Sequence, residues 1–370
     1  ASAITANTAK TGITSGQASA ITANTAKVTN STSASDLASG TLPMARLSGT
    51  LPALNGSALT SVRDTTGGRK NLIINGGFDV WQRGTSATKS GDGYGGYLSA
   101  DRWAAYYNGT TISRQTGTFN GSTKYVGRVA GLVNSSNYIY QKIESASSFV
   151  SGKTVTQSYW ARANINTTLS SSYRFYDSGS EINNVQTVLS DVSLTTSWQK
   201  FTDTRVLTDS STDLTRDLFV LFYATCDNAG DYIEIADVQV EIGSVATDFE
   251  HRSYGEELAL CQRYYYRINN TSNNPAVAMV ARWDNTTWYG VIDFPVTMRA
   301  KPTGSRSSAS ALRVFEAGAT RNTTSITLPT NESTESAAEI SVIVSGYTGR
   351  SGWLRFLGSG TGWLAWSAEL

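Results

Sequence analysis

The most restrictive feature of the sequence is a pair of short repeats near its N-terminus. The decapeptide ASAITANTAK at residues 1–10 recurs without change at residues 18–27. Downstream, the pentapeptide SGTLP begins at Ser39 and again at Ser48, and the proline in each copy rules out a continuous helix there. Short repeats with one apolar face need neighbouring copies to cover that face. We therefore expect residues 1–70 to form an oligomeric stalk rather than a globular domain.

The decapeptide repeats have the spacing of a coiled-coil core. In each copy an Asn follows an Ile by three residues, and a further candidate core residue comes after another four. An Asn in such a core lowers stability but fixes register and strand number. The pattern resembles the Asn-containing layers of trimeric adhesins and phage fibres, and this resemblance implies a parallel homotrimer. The predicted core residues are Ile4, Asn7, Ile21, Asn24 and Val28.

The overall charge excludes two classes of partner. Thirty basic residues balance 29 acidic ones, which gives a formal net charge of +1. Nucleic-acid backbones and anionic membranes both attract proteins with a basic surplus. No run of about eighteen apolar residues is present either. We therefore predict neither nucleic-acid binding nor membrane insertion.

Segments of alternating apolar and polar residues, rich in aromatic side chains, begin at Asn71. Such segments, separated by Gly, Ser, Asp and Asn turns, predict β-strands. The first seven are NLIIN, TKYVGRVAG, SNYIYQKI, KTVTQSYWARA, WQKFTDTRVL, DLFVLFYA and DYIEIADVQVEI. Their number and length predict an antiparallel sandwich or jelly roll.

One helix is expected to follow these strands. Ser253 and Glu256 have the spacing of a capping box at its start. Leu258, Cys261 and Tyr265 then recur at helical spacing and predict its buried face.

The chain as a whole is predicted to be mostly β, with four segments. These are a trimeric coiled coil at residues 1–35, a repeat stalk with a hinge at 36–70, a jelly-roll sandwich with one helix at 71–268, and a C-terminal β-sandwich tip at 269–370. The last boundary rests on the polar run RINNTSNN.

Several separated motifs resemble a module of tail-fibre proteins from phages that infect cyanobacteria and other aquatic bacteria. They are NLIINGGFDVWQRGT, ADRW and VQVEIGSVATDFEHRSYGEELALCQRYYY, followed by the tip motifs DFPVTMRAKPT and SAEL. The resemblance implies a structural virion component that attaches the phage to a host-surface glycan, either lipopolysaccharide or another surface polysaccharide. Such a protein is assembled in the host cytoplasm, resides in the phage tail and joins upstream tail or baseplate proteins.

The unit that begins at Asn71 also resembles jelly-roll carbohydrate-binding modules. In that family an NGGFE-like turn meets an Asp-Val strand, and the two often share a calcium ion. The matching residues imply Asp79 and Asp237 as calcium ligands. Asp79 replaces the commoner glutamate and Ala236 replaces the first of two usual acids. A plain structural pairing of the two segments is therefore the alternative.

Residues for catalysis are not apparent, and we predict that the chain is not an enzyme. The sole histidine, His251, lies in DFEHRS at a domain edge, and the sequence contains no GxSxG, HExxH or phosphate-binding glycine loop. The two cysteines, Cys226 and Cys261, show no metal-ligand spacing. We expect both to be buried thiols of a protein folded in a reducing cytosol.

Two other functions fit parts of the sequence. A tailspike-type polysaccharide depolymerase is one, but such enzymes resemble long β-helices with many stacked repeats. A bacterial trimeric surface adhesin is the other, but such adhesins end in a membrane barrel segment, whereas this chain ends in SAEL.

Aromatic residues in two turns of the C-terminal unit are the predicted ligand contacts. Aromatic faces suit sugar rings, and nearby polar groups can bind the hydroxyls. The turn WDNTTW and the hairpin connection YTGRSGW place such residues together, with core packing as the alternative role. The predicted ligand-contact residues are Trp283, Asp284, Trp288, Tyr347, Arg350 and Trp353.

Overall fold

The computed structural model describes two compact units separately, residues 1–63 and residues 64–370. The described residues are 14–17, 19–20, 69–131, 138–176, 186–209, 211–224, 226, 228, 230–271, 275–308, 310–316, 318–346, 349–358 and 362–370. In the first unit, residues 15–17 and 19–20 are helical. The predicted coiled-coil core residues and the SGTLP repeats lie outside the described residues and stay predictions.

The residues between 86 and 242 form a sandwich of two antiparallel sheets. Its strands are β1 (Ser86–Thr88), β2 (Ala104–Ala105), β3 (Thr111–Phe119), β4 (Ser122–Ala130), β5 (Tyr138–Ile143), β6 (Thr154–Ala163), β7 (Thr167–Tyr176), β8 (Gln186–Val188), β9 (Val192–Leu194), β10 (Gln199–Val206), β11 (Asp217–Ala224) and β12 (Tyr232–Ile242). The first sheet has the order β1-β3-β4-β12-β6-β10. The second has the order β2-β5-β11-β7-β8, with β9 also paired to β7.

Strand alternation explains the core between these sheets. In β11, Leu218, Val220 and Phe222 belong to the central core, whereas Phe219 and Leu221 lie in a separate cluster on the outward face. This is the two-residue period of a strand with both faces covered. The predicted β-rich sandwich is confirmed.

The segment before β1 closes the sandwich by running beside β12. The backbone NH of Leu72 donates to the carbonyl of Val240 at 2.8 Å, and that of Val238 donates to the carbonyl of Gly76 at 3.0 Å. A Cβ on Gly76 would lie 2.1 Å from the Val238 carbonyl oxygen, so only glycine fits there. The two segments that the sequence resemblance brings together therefore pair through their backbones.

The described part of residues 64–370 contains two helices, α1 (Ser147–Val150) and α2 (Tyr254–Gln262). The Ser253 side chain accepts a hydrogen bond from the Glu256 NH at 3.3 Å, as the capping motif predicted. The predicted helical position of Tyr265 is wrong, because α2 ends at Gln262 and Tyr265 pairs with Ser367 in a strand. Neither helix is long and apolar enough to cross a membrane.

Both cysteines are buried, as the sequence predicted. Cys261 lies on α2, where burial raises the pKa of its thiol well above the ordinary value. Its thiol is therefore a packing group.

The C-terminal unit has two further sheets around its own core. Its strands are β13 (Tyr265–Asn269), β14 (Ala276–Arg282), β15 (Thr287–Asp293), β16 (Thr303–Arg306), β17 (Leu312–Glu316), β18 (Ala319–Asn322), β19 (Ser325–Thr327), β20 (Ala337–Ile343), β21 (Ser351–Phe356) and β22 (Trp363–Ser367). A seven-stranded sheet has the order β18-β17-β21-β14-β15-β20-β19, and a three-stranded sheet has the order β13-β22-β16. The predicted domain boundary between residues 268 and 269 falls inside β13.

Candidate ligand-binding site

One open edge of the sandwich carries polar residues on its inward face. On β6 and β10, Phe201 lies opposite Tyr159 and Asp203 lies opposite Gln157. Because side chains alternate along a strand, all four point to the same side, toward the second sheet. The Tyr159 and Phe201 ring centroids are 5.7 Å apart. The interface between the sheets, which is otherwise apolar, therefore contains both aromatic and polar side chains at this edge.

A cavity of about 260 Å³ opens beside these rings. It lies between β6 and β10 of the first sheet and β7 and β9 of the second. Its walls combine two aromatic rings, one carboxylate and several hydroxyl groups. The lining residues are Tyr159, Ser171, Ser190, Val192, Phe201, Thr202, Asp203 and Thr204.

The Asp203 carboxylate is fixed in position by its neighbours. It accepts a hydrogen bond from the Ser190 NH at 2.7 Å, and Arg205 contacts its two oxygens at 2.8 and 3.0 Å. Burial and, less strongly, Asp203 itself raise the pKa of Tyr159, while a hydrogen bond with Ser171 lowers it. The cavity therefore presents two groups to a ligand, the fixed carboxylate of Asp203 as an acceptor and the protonated hydroxyl of Tyr159.

Two buried side chains beside the cavity have polar atoms with no hydrogen-bond partner among the described residues. They are the Gln157 amide, at both its nitrogen and its oxygen, and the Tyr173 hydroxyl. Gln157 is the register neighbour of Asp203, and burial, Asp203 and Tyr159 all raise the pKa of Tyr173. An unpaired buried polar group costs about 1–3 kcal/mol. A site that tolerates this cost is suited to a ligand that supplies the missing partners.

The chemistry of this cavity favours binding over hydrolysis. Glycosidases use two carboxylates on either side of the scissile bond. The cavity lining includes a single carboxylate, Asp203, and Arg205 neutralises it. Ring faces beside hydrogen-bonding groups are the usual features of a sugar-binding surface.

A second cleft, of about 340 Å³, contains the predicted calcium ligands Asp79 and Asp237 together with His251. The Lys124 ammonium lies 2.6 Å from Asp237 Oδ2 and neutralises this carboxylate. Burial, followed by Glu257 and Asp237, raises the pKa of Asp79.

The second cleft supplies two carboxylates, those of Asp79 and Asp237, toward a calcium site. Calcium takes about six to eight oxygen ligands. Across the described residues no cluster of three His, Cys, Asp or Glu side chains could hold a metal. Calcium therefore stays a prediction from the resemblance.

Of the three ligand contacts predicted around the turn before β15, one residue lies in the core and two lie at the surface. Trp288 is wholly buried in the C-terminal core, so its predicted ligand contact is corrected to packing. Trp283 is 79% exposed and stands edge-on to Tyr289, with ring centroids 6.2 Å apart. The Asp284 carboxylate accepts hydrogen bonds from the Thr286 and Thr287 backbones, which lower its pKa to about 2. Asp284 therefore shapes the turn.

The second predicted loop is described in part. Arg350 and Trp353 are exposed, and Trp353 belongs to β21, where its register partners are Met279 and Phe315. Tyr347 lies outside the described residues. Trp353 thus stands on the outward face of the seven-stranded sheet rather than in a loop.

The cavity residues were not predicted as a ligand-binding site from the sequence. One signal was available, because in KTVTQSYWARA the polar Gln157 has the same strand parity as the core residues Val155 and Tyr159. A polar residue at a core position indicates a functional or structural exception. The partner strands were needed to show that Asp203 stands beside it.

Comparisons with known proteins return distant likenesses among solved structures. No protein-family model matches the sequence, and no curated protein matches it significantly. The CBM22-1 xylan-binding domain of Paenibacillus barcinonensis Xyn10C is 12% identical, with 44% of this chain and 94% of that chain covered and a TM-score of 0.30.

Two other solved structures are similarly distant. A putative sugar binding protein from Bacteroides thetaiotaomicron is 14% identical over 47% of this chain and 100% of that chain, with a TM-score of 0.34. The enzymatically active domain of bacteriophage CBA120 tailspike protein 4 is 14% identical over 46% of this chain and 21% of that chain, with a TM-score of 0.30. Similarity this low assigns neither a family nor a function.

Proposed function

We propose that this chain is a glycan-binding attachment protein of phage tail-fibre type, and that the cavity beside Tyr159 and Phe201 binds the sugar. The observation that carries the proposal is the juxtaposition of two aromatic rings with the unpaired Gln157 amide and Tyr173 hydroxyl. A pyranose presents C–H groups to rings and hydroxyls to polar groups at the same time. In this proposal the sugar hydroxyls pair with the buried Gln157 amide, which lies next to the lining residue Asp203 in the strand register.

The attachment role rests on the N-terminal repeats and on the resemblance of the motifs to phage fibres. In this proposal the chain is a homotrimer in the virion tail, assembled in the host cytoplasm and joined to upstream tail or baseplate proteins. Three weak sugar sites on one particle raise the avidity without any new contact. No catalytic step is needed for this role.

The exposed aromatic residues of the C-terminal unit remain a predicted second place of ligand contact. Trp283, Arg350 and Trp353 are accessible in a single chain, and Asp284 follows Trp283 in the sequence. They line neither of the two cavities described above.

The decisive variant is Gln157→Leu, tested on an array of bacterial surface polysaccharides. Removing an unpaired buried amide should leave the free energy of unfolding unchanged or raise it, because the desolvation penalty is lost. The same change removes a hydrogen bond to the sugar, so we expect binding to fall up to about tenfold. Loss of binding without loss of stability separates a ligand contact from a folding contact.

The matched control is Gln199→Leu, which changes the same side chain at an exposed position of β10. Trp283→Ala tests the second predicted place independently. If Gln157→Leu and Phe201→Ala both fold and bind the same polysaccharides as the wild type, the cavity is not the sugar site.

A further inference from the structure

The outward face of the seven-stranded sheet is apolar across its middle. In register across neighbouring strands lie Trp353 on β21, Met279 on β14 and Val291 on β15, with exposures of 44%, 59% and 61%. Tyr289 and Ile343 extend this patch along β15 and β20. A contiguous apolar patch of this kind marks an interaction surface.

Charged residues flank the apolar middle with opposite signs on its two sides. Arg313 and Arg355 are register neighbours on β17 and β21. Asp293 on β15 and Glu339 on β20 stand on the other side. The Arg313 and Arg355 Nε atoms have no hydrogen-bond partner among the described residues, and no ion pair of either arginine is found there.

Among the described residues the two charged sides form no ion pair with each other. Arg355 and Glu339 are separated by three strand steps, or roughly 14 Å at the usual strand spacing. Burial, followed by Glu332, raises the pKa of Glu339, so this carboxylate gains no favourable pairing from its own chain. A second molecule that presents the opposite charge can pair with each side.

We propose that this face, defined by Met279, Val291, Trp353 and the two flanking charge pairs, packs against the same face of further copies of this chain. Another copy presents both signs of charge around an apolar centre, so the β17–β21 side of one chain meets the β15–β20 side of the next. In a closed ring every copy is satisfied in this way. Such a contact also explains why large apolar side chains remain on an otherwise ordinary sheet.

A sugar fits this face less well than a second copy. Its centre contains aliphatic Met279 and Val291 rather than an aromatic platform, and the Trp283 ring stands at 89° to Tyr289. Stacking on pyranose rings favours parallel, accessible ring faces. The face therefore matches a protein partner.

The test measures accessibility of the face in the full chain, so that a stalk holding the copies together does not affect the result. In Val291→Cys, we expect maleimide to label the new thiol at least tenfold more slowly than in Val188→Cys. Val188 is 53% exposed on the sandwich and serves as the matched position. Both native cysteines are buried and should react slowly.

Charge reversal then shows what covers the face. In the Val291→Cys background, Arg313→Glu with Arg355→Glu should speed labelling, because like charges meet across the contact. Adding Asp293→Arg with Glu339→Arg should slow it again, since the reversed sides are complementary once more.

Two results would overturn the proposal. One is equal labelling of the two new thiols at micromolar concentration, which would show a free face. The other is slow labelling that neither reversal changes, which would point to a cover other than a second copy. Sedimentation of the same samples gives the number of copies.

Discussion

The sandwich and the C-terminal unit differ in whether the charged side chains on the outward faces of their sheets have partners in the same chain. On the outward face of the sandwich's first sheet, Glu234 is fully buried between Arg128 and Arg162, which contact its two oxygens at 2.6 Å. On the seven-stranded sheet, Arg313 and Arg355 have no such acid and Met279 is exposed. The first surface is complete in one chain, and the second is not.

The sandwich's second sheet shows the same completeness by different means. A cluster of tyrosines covers its outward face, and Tyr94 is in ring contact with Tyr106, Tyr140 and Phe219 at 4.7, 5.5 and 5.3 Å. Lys142 lies 4.9 Å from the Phe219 ring. The difference teaches that outward-facing aromatic residues in this protein belong to two classes, those covered by their own chain and those left for a partner.

The largest expected effect comes from the contact that joins the two β units. Glu369 pairs with Arg102 and, at 2.9 Å, with Arg83, and Arg102 is wholly buried. Glu369→Ala leaves a buried guanidinium without its acid, so we expect about 3–5 kcal/mol of lost stability. Urea unfolding measures the loss, and limited proteolysis near residue 270 should report the loosened C-terminal unit.

The control for Glu369 is Glu332→Ala, which removes an exposed acid from the same unit. Exposed substitutions usually change stability by less than about 0.5 kcal/mol. Equal losses in the two variants would show that the units hold together without Glu369.

A smaller effect is expected from the ion pairs that Glu234 makes with Arg128 and Arg162 on the outward face of the first sheet. Glu234→Gln leaves Arg128 and Arg162 facing each other, but both arginines are partly exposed and can be hydrated. We therefore expect a loss of about 2–3 kcal/mol, below or at the lower end of the range for a broken buried pair. High salt should reduce the loss, because it screens the repulsion between the arginines. A loss that salt leaves unchanged would instead indicate a packing defect.

Strand patterns predicted much of this fold, because the alternation in DLFVLFYA and DYIEIADVQVEI is local. Helical spacing failed for Tyr265, which instead pairs in a strand with Ser367, a partner about 100 residues away. Trp288 and Trp283 look alike in WDNTTW, yet one is core and the other is exposed. Strand parity relative to the sheet decides between them, and the sequence alone does not show that parity at a turn.

The smallest expected effect concerns Asp79, whose surroundings disfavour its charged form. Burial, then Glu257 and Asp237, raises its folded-state pKa above the ordinary value of about 3.9. The folded protein therefore holds this proton more tightly than the unfolded chain does, and stability falls as pH rises through the raised pKa. Asp79→Asn removes that dependence, so the variant should be slightly more stable than the wild type at pH 7 and no different near pH 3.5. Urea unfolding at both pH values checks this, and a gain that persists at pH 3.5 would assign the effect to packing. Calcium bound by Asp79 and Asp237 would stabilise the wild type more than the variant, which tests the predicted cation in the same experiment.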